Sequence, residues 1–282
     1  SPTGSGKTLT AFLTIIDKLV RLSLDGKLQK KVHCVYISPI KALANDIQRN
    51  LIGPLNEISE RYLPDRAQEI KVGLRTGDTP QSERQKMLKN PPHILITTPE
   101  SLAIAITSPR FQPIVSELEY MIVDELHSLV PTKRGVHLGL TLSYLDTLLT
   151  TPVQRIGISA TMEPLEKVAE YLVASDNLET RTENSSVSIA KVSGSRELDM
   201  DIIIPHNRFS DLPVLKILDA NIEVIADLIS AHTTTLVFAN TRKMTETLVQ
   251  HLRPHLGELI AGHHGSMDKK IRLDVEKKLK HG

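Results

Sequence analysis

The sequence predicts an α/β protein made of two successive units, each a parallel sheet flanked by helices. Three observations carry that expectation. Short β-branched runs alternate with longer amphipathic stretches. Hydroxyl residues stand at the ends of those runs, directly ahead of helix starts. After Leu172 a polar, aperiodic stretch, "ASDNLETRTENSSV", interrupts the alternation. Alternation favours parallel pairing because two parallel strands need a long crossover, and a helix supplies one. The 282 residues exceed one ordinary domain, and 40% hydrophobic with 24% charged residues is ordinary globular composition.

In chain order, residues 7–22 read as a helix that leaves a glycine loop, and 41–60, 136–149 and 163–174 as further helices. "VHCVYIS", "HILITT", "YMIVDE" and "QRIGIS" read as strands, being short, apolar and rich in β-branched residues. The first unit is expected over residues 1–177, a linker over 178–195 and a shorter second unit over 196–282. In the second, "LDMDIIIP", "TTLVFAN" and "ELIAGHH" read as strands, with helices near 215–231, 242–253 and 267–280.

One local pattern recurs. "ISPIKAL" sets Ser38 at a strand end, then Pro39, then a helix, and "TTPESL" does the same with Thr98 and Pro99. A hydroxyl N-cap followed by proline in the first helical position is a helix-start signal. "FANTR" and "GHHGSM" repeat it with Thr241 and Ser266, without the proline. In a parallel sheet the carboxyl ends of the strands share one edge, and bare amides at helix starts attract phosphate. Several such corners on one edge suggest a cleft facing a series of phosphates. For any one corner, an ordinary cap that binds nothing is the alternative.

Composition excludes several classes. A net charge of +1 gives the molecule no strong field toward a polyanion or a membrane, so a polyanion must be held by local patches. No tryptophan and 3% aromatics supply a base-stacking platform poorly. No apolar run approaches a membrane span, and no secretory leader is expected. The lone cysteine, Cys34, has no internal partner and sits in an apolar run; it reads as a buried small hydrophobe suited to a reducing cytoplasm.

Three motifs carry chemistry. In "SPTGSGKT", Thr3, Gly4, Ser5, Gly6, Lys7 and Thr8 form a phosphate cradle: the amides wrap a β-phosphate, Lys7 reaches the β/γ oxygens and the Thr8 hydroxyl ligates Mg²⁺. "YMIVDELH" supplies Asp124 as a second Mg²⁺ ligand and Glu125 to orient and deprotonate an attacking water. His127 lies two residues on, placed for a relay to "GISAT", where Ser159 and Thr161 can sense the γ-phosphate. Residue chemistry alone reaches a nucleotide-driven α/β protein.

In order along the chain, "TGSGKT", "SPIKAL", "TTPES", "DELH", "SAT" and "FANTR" resemble the motifs of superfamily-two helicases. "RTGDTPQSERQKM", "VDELHSLVPTKRGVHLGLTLSYL" and "AGHHGSM" are similar to the large helicase-related (Lhr) proteins, and Leu126 and His127 stand where DEAD-box RNA helicases have Ala and Asp. The resemblance implies two RecA-like domains, ATP and Mg²⁺ as cofactors, and movement, typically 3′ to 5′, along single-stranded or partly duplex DNA or an RNA–DNA hybrid. It implies a strand-binding edge of Ser38, Pro39, Lys41, Arg75, Gly77, Asp78, Thr98, Pro99 and Glu100. In the second unit it implies Asn240, Thr241, Arg242, His264, Gly265 and Ser266. Lys133 and Arg134 in "TKRG" would clasp a phosphate or interrupt a duplex, or else lie in a solvated turn. The mixed charges of the closing helix read as a solvated face.

The family pattern also leads one to expect a strand ahead of Ser1, and a further strand and an arginine-finger helix after Gly282, so the second unit is expected to be cut short. The competing reading is an ATP-gated clamp or annealing protein that binds strands without unwinding them. A small-molecule phosphotransferase fits less well, because it would not carry "SAT" and "NTR" on successive strands.

Overall fold

Five strands, β1 (Cys34–Ile37), β2 (Val72–Arg75), β3 (Ile94–Thr97), β4 (Tyr120–Val123) and β5 (Gln154–Gly157), form a parallel sheet in the order β2-β3-β1-β4-β5. The computed structural model describes residues 7–63, 68–160, 162, 164–173, 187–191, 199–204 and 214–281. Contacts divide the chain into two units, Ser1–Arg196 and Glu197–Gly282.

The sheet's inner strands are apolar on both faces, as parallel strands covered on both sides must be. Alternate residues serve separate cores. Val35 and Ile37 of β1 join Leu95, Met121 and Val123 under one face, while Cys34 and Tyr36 join Ile94, Ile96 and Ile122 under the other. Helix α1 (Lys7–Leu24) covers the second face with Phe12, Ile15, Ile16 and Leu19, one apolar stripe at helical spacing. Helix α2 (Lys41–Tyr62) lies on the same face through Ala44, Leu51 and Leu55. The first face is covered by α4 (Pro99–Ile106), α7 (Lys133–Leu148) and α8 (Leu165–Val173). Short helices α3 (Gln81–Lys89), α5 (Gln112–Val115) and α6 (Leu126–Leu129) complete the connections.

Strand β2 and α3 were not legible in the sequence. The alternation of Val72 and Leu74 was the available signal, but Gly73 weakens it. That glycine is a packing requirement: a Cβ there would lie 2.7 Å from the Pro92 side chain. Three helix starts also differ from expectation in cap or bound. Helix α2 begins at Lys41, so Ser38 does not cap it; its hydroxyl donates instead to the Ile40 carbonyl at 3.1 Å. Helix α7 begins at Lys133 with Thr132 as its cap, which places Lys133 and Arg134 in a helical first turn, not in a loop. Proline does occupy the first position of α4, but the Thr98 hydroxyl donates to Ser101 Oγ at 3.0 Å and makes no bond to a backbone amide.

The end of the sheet away from these corners is closed by structural polar contacts. His33 Nδ1 lies 2.8 Å from Glu119, and His93 Nδ1 accepts the Lys71 amide at 2.9 Å. Burial pushes His93 down to about 4, so it stays neutral there.

The second unit holds α9 (Val214–Ser230), α10 (Arg242–Leu256) and α11 (Lys269–His281) around a small core of Ile222, Ala226 and Leu252. Among its described residues there is no strand, where three were expected. Ile202, Leu236, Phe238 and Leu259 of those runs are 88%, 64%, 90% and 91% exposed. A strand exists only with a neighbour to share its ladder, so an apolar run by itself does not make one. Thr241 caps α10 as expected, accepting the Met244 amide at 3.1 Å. Ser266 does not cap α11, which begins at Lys269. On α11, Lys278 pairs with Asp274 at 3.0 Å one turn away, both side chains largely exposed.

Candidate nucleotide site and strand-binding edge

All five strands are parallel, so the residues that follow them lie on one edge of the sheet. The order β2-β3-β1-β4-β5 splits that edge in two. On one side of β1 are the loops after β4 and β5, carrying Asp124, Glu125 and Ser159. On the other are the loop after β2, carrying Gly77 and Asp78, and the start of α4 after β3, carrying Pro99 and Glu100.

The nucleotide half is built around a buried hydroxyl. Tyr36 is fully buried in β1, its ring stacked on Phe12 at 5.3 Å, and its hydroxyl donates to Asp124 Oδ2. The Thr8 side chain reaches the same hydroxyl. Burial, then the negative charge of Asp124, push the Tyr36 phenol far above its ordinary range, so it serves only as a neutral hydrogen-bonding group. Thr8 and Asp124, 116 positions apart in the sequence, therefore both lie beside the Tyr36 side chain. Asp124 is 3% exposed, and its Oδ1 accepts the Glu125 amide at 2.7 Å. A buried carboxylate beside a threonine hydroxyl is a hard-oxygen donor set, which suits Mg²⁺. Among the described residues no group of three or more His, Cys, Asp or Glu could hold a metal. Lys7 opens α1 beside Thr8, while Thr3, Gly4, Ser5, Gly6 and Thr161 lie outside the described residues.

Tyr36 was invisible as a site residue, since an aromatic in an apolar run reads as core. Its Tyr36→Phe variant is expected to raise the magnesium concentration for half-maximal ATP turnover by about tenfold, the usual cost of losing a ligand's orienting partner. A magnesium titration of the full-length protein checks this, and an unchanged requirement would remove the hydroxyl from the metal's surroundings.

Glu125 is the positive-φ non-glycine among the described residues, at φ 52° and ψ 42°. Left-handed backbone costs about 1–2 kcal/mol for an L-residue, and here it turns the chain sharply off β4. The turn lets the Leu126 amide reach the Ile158 carbonyl at 3.0 Å and brings the Glu125 carboxylate 3.1 Å from His127 Nε2. The Ala160 amide donates to His127 Nδ1 at 3.2 Å, with Ser159 Oγ 3.4 Å from the same nitrogen. An N–H donor at Nδ1 leaves the ring proton on Nε2, aimed at Glu125. Contacts thus run from Glu125 through His127 to Ser159 and Ala160.

On the other half, Lys41 Nζ bonds Asp78 at 2.6 Å. Arg84 ties down the loop that carries Gly77 and Asp78, donating to the carbonyls of Thr79, Thr76 and Gly77 at 2.9–3.1 Å. Arg134 donates to Glu100 at 2.6 Å and to the Pro39 carbonyl at 2.8 Å. Ser38, Thr98 and Pro99 are buried, while Lys41, Gly77, Asp78, Glu100, Lys133 and Arg134 are exposed. Arg75 is not brought to this surface: it is 9% exposed, its guanidinium packed over the Phe111 ring at 5.2 Å. In the second unit, Arg242 donates to Ser266 Oγ and His264 Nε2 lies 2.6 Å from Glu246, which joins the start of α10 to the loop before α11. Asn240, Thr241 and Gly265 are exposed beside them.

Residues 1–169, well over half of the chain, match the family described as DEAD/DEAH box helicase. The chain belongs to that family. Within it, the whole chain aligns at 48% identity with the ATP-dependent helicase Lhr-Core of Methanothermobacter thermautotrophicus, covering 33% of that protein. The Lhr helicase of Mycobacterium smegmatis, solved bound to single-stranded DNA and AMP-PNP, superposes with a TM-score of 0.79 at 40% identity. That alignment covers all of this chain and 36% of the solved one. The helicase MrfA, bound to DNA and AMPPNP, shares the fold with a TM-score of 0.70 at 24% identity, over all of this chain and 37% of the other. The sheet accordingly has the RecA-like fold, and this chain spans about a third of the length of the curated relatives it matches. Among the described residues no helix is long and apolar enough to cross a membrane.

Proposed function

We propose that the chain is the ATP-binding part of a helicase of the Lhr type, using Mg·ATP to move along a DNA strand and open duplexes in repair or recombination. The observation that carries this reading is the placement of Thr8 and Asp124 beside the Tyr36 side chain, in a sheet edge whose other half carries the strand corners. Support also comes from the M. smegmatis relative, whose structure contains single-stranded DNA and an ATP analogue.

Residues Thr3 to Thr8 would wrap the phosphates, with Lys7 on the β/γ oxygens, and Thr8 and Asp124 would hold Mg²⁺. The bound ion would offset charge on the transferring phosphoryl group. Glu125 takes a proton from the attacking water. His127, with its proton on Nε2, orients the Glu125 carboxylate and links it to Ser159 and Ala160, so that the state of the nucleotide alters the loop after β5. The edge residues hold a strand by its backbone, which carries no sequence preference and suits movement along DNA or an RNA–DNA hybrid. Local corners explain how a chain of net charge +1 binds a polyanion. The two units, with a boundary expected at the linker 178–195, are read as the two motor domains, and Cys34 as a cytoplasmic thiol.

A strand-displacement assay with the full-length protein tests the reading. With ATP it is expected to release the labelled strand from a duplex bearing a 3′ overhang, and with AMP-PNP to release none. Release from neither overhang type, with binding intact, would make the protein an ATP-gated clamp.

A further inference from the structure

Resting on that reading, we propose that Arg134 is a positioning residue of the strand-binding edge: it braces the corner after β1 to the corner after β3 and does not itself bind a phosphate. Glu100, in the same arrangement, is the partner of Arg134 and not a strand contact.

The guanidinium offers donors in a fixed planar fork, and two directions of that fork are occupied. Nε donates to Glu100 Oε1 at 2.6 Å and Nη2 to the Pro39 carbonyl at 2.8 Å. Pro39 follows β1 and Glu100 stands in the first turn of α4, which follows β3; the two strands are neighbours in the sheet. Arg134 itself enters from α7, after β4. One side chain therefore joins three segments that meet nowhere in the sequence.

The base of the brace is fixed. Thr132 caps α7 by accepting the Gly135 amide, Tyr171 donates to the Gly135 carbonyl at 2.6 Å, and a Cβ on Gly135 would lie 2.3 Å from the Leu129 carbonyl oxygen. Burial is the largest influence on the Glu100 carboxyl and works upward, but the hydrogen bond and charge of Arg134, with its own backbone amide and Thr98, together leave the group below its ordinary range. Both side chains are about half exposed, so solvent screens the ion pair and charge attraction alone does little. The positional information lies in the bond to the Pro39 carbonyl, which a second carboxylate or a phosphate would not supply. Lys41 contrasts with this: it holds Asp78 by one bond from a flexible stem and can exchange that carboxylate for a phosphate.

The test is a fluorescence-anisotropy titration of the full-length protein with a labelled oligothymidylate across a range of salt. If Arg134 braces, Arg134→Gln weakens binding about fivefold without changing the slope of log affinity against log salt. Glu100→Ala, which removes the acceptor, then also weakens binding, the double variant is no weaker than Arg134→Gln alone, and Arg134→Lys fails to restore binding. If Arg134 holds a phosphate, the slope falls by about 0.7, Arg134→Lys restores most of the affinity, and Glu100→Ala binds as well or better. That pattern overturns the proposal. Amide exchange of residues 38–41 and 98–101, measured without DNA, separates this inference from the reading beneath it. Faster exchange in Arg134→Gln supports the brace and unchanged exchange overturns it, whereas wild-type protein that binds no oligonucleotide overturns the strand-edge reading instead.

Discussion

Glu125→Gln in the full-length protein is expected to lower strand-stimulated ATP hydrolysis by about a thousandfold, with nucleotide affinity within about threefold of wild type. The factor corresponds to about 4 kcal/mol of barrier. Its basis is geometric. The left-handed backbone at Glu125 aims the side chain away from the strand, and the carboxylate is held 3.1 Å from His127 Nε2. Glutamine has the same shape, and its carbonyl oxygen can accept the same His127 proton, so the turn and the contacts with Ser159 and Ala160 survive. What is lost is the ability to take a proton from water. His127→Ala makes the complementary variant: it keeps the base but removes the link to the loop after β5. Stimulation by DNA should then fall more than basal hydrolysis does. Steady-state turnover and equilibrium binding of a fluorescent ATP analogue check both statements. A Glu125→Gln protein that hydrolyses ATP at the wild-type rate would end the assignment of this residue as base.

The second large effect is on stability. Gly135→Ala is expected to cost about 3 kcal/mol, near the upper end for forcing one extra carbon into a packed site. The new Cβ would stand 2.3 Å from the Leu129 carbonyl oxygen, 2.8 Å from its carbon and 3.0 Å from Val130 Cα. These are backbone atoms at the end of α6 and cannot rotate aside. Relief requires α7 to move off, which breaks the Thr132 cap and the Tyr171 bond to Gly135 together. Gly139→Ala, one turn further on, is the control. Its Cβ would meet only the Tyr171 ring at 3.4 Å, and alanine gains roughly 1 kcal/mol over glycine inside a helix. A melting midpoint lowered by roughly 6–12 °C in the first variant, and level or raised in the second, is the expected result. Equal midpoints would contradict the close approach at Gly135.

The physical basis of each feature explains which parts of this protein could be read from the chain alone. The phosphate loop, the acidic motif and "GISAT" are legible because each is local: a short run of fixed residue types at a strand end already states its chemistry. Helix stripes such as Phe12, Ile15, Ile16 and Leu19 are legible for the same reason, since their periodicity is written within a few turns. Apolar runs say less. "YMIV" becomes a strand because β1 and β5 lie on either side of it, whereas "LVFA" is as apolar and has no ladder.

What only the tertiary structure decided lies in contacts between distant segments. Tyr36 meets Asp124 across 88 positions, and Arg134 meets Pro39 across 95. Nothing in the neighbouring residues distinguishes Tyr36 from any core aromatic, or Arg134 from a solvated cation. Arg75 shows the converse, a residue placed at the edge by its motif and withdrawn by packing against Phe111. The sequence determined which chemical groups this protein owns and, where the periodicity is local, which helices carry them. The fold decided which groups face one another, because hydrogen bonds and burial act over a few ångströms of space, regardless of how much chain lies between.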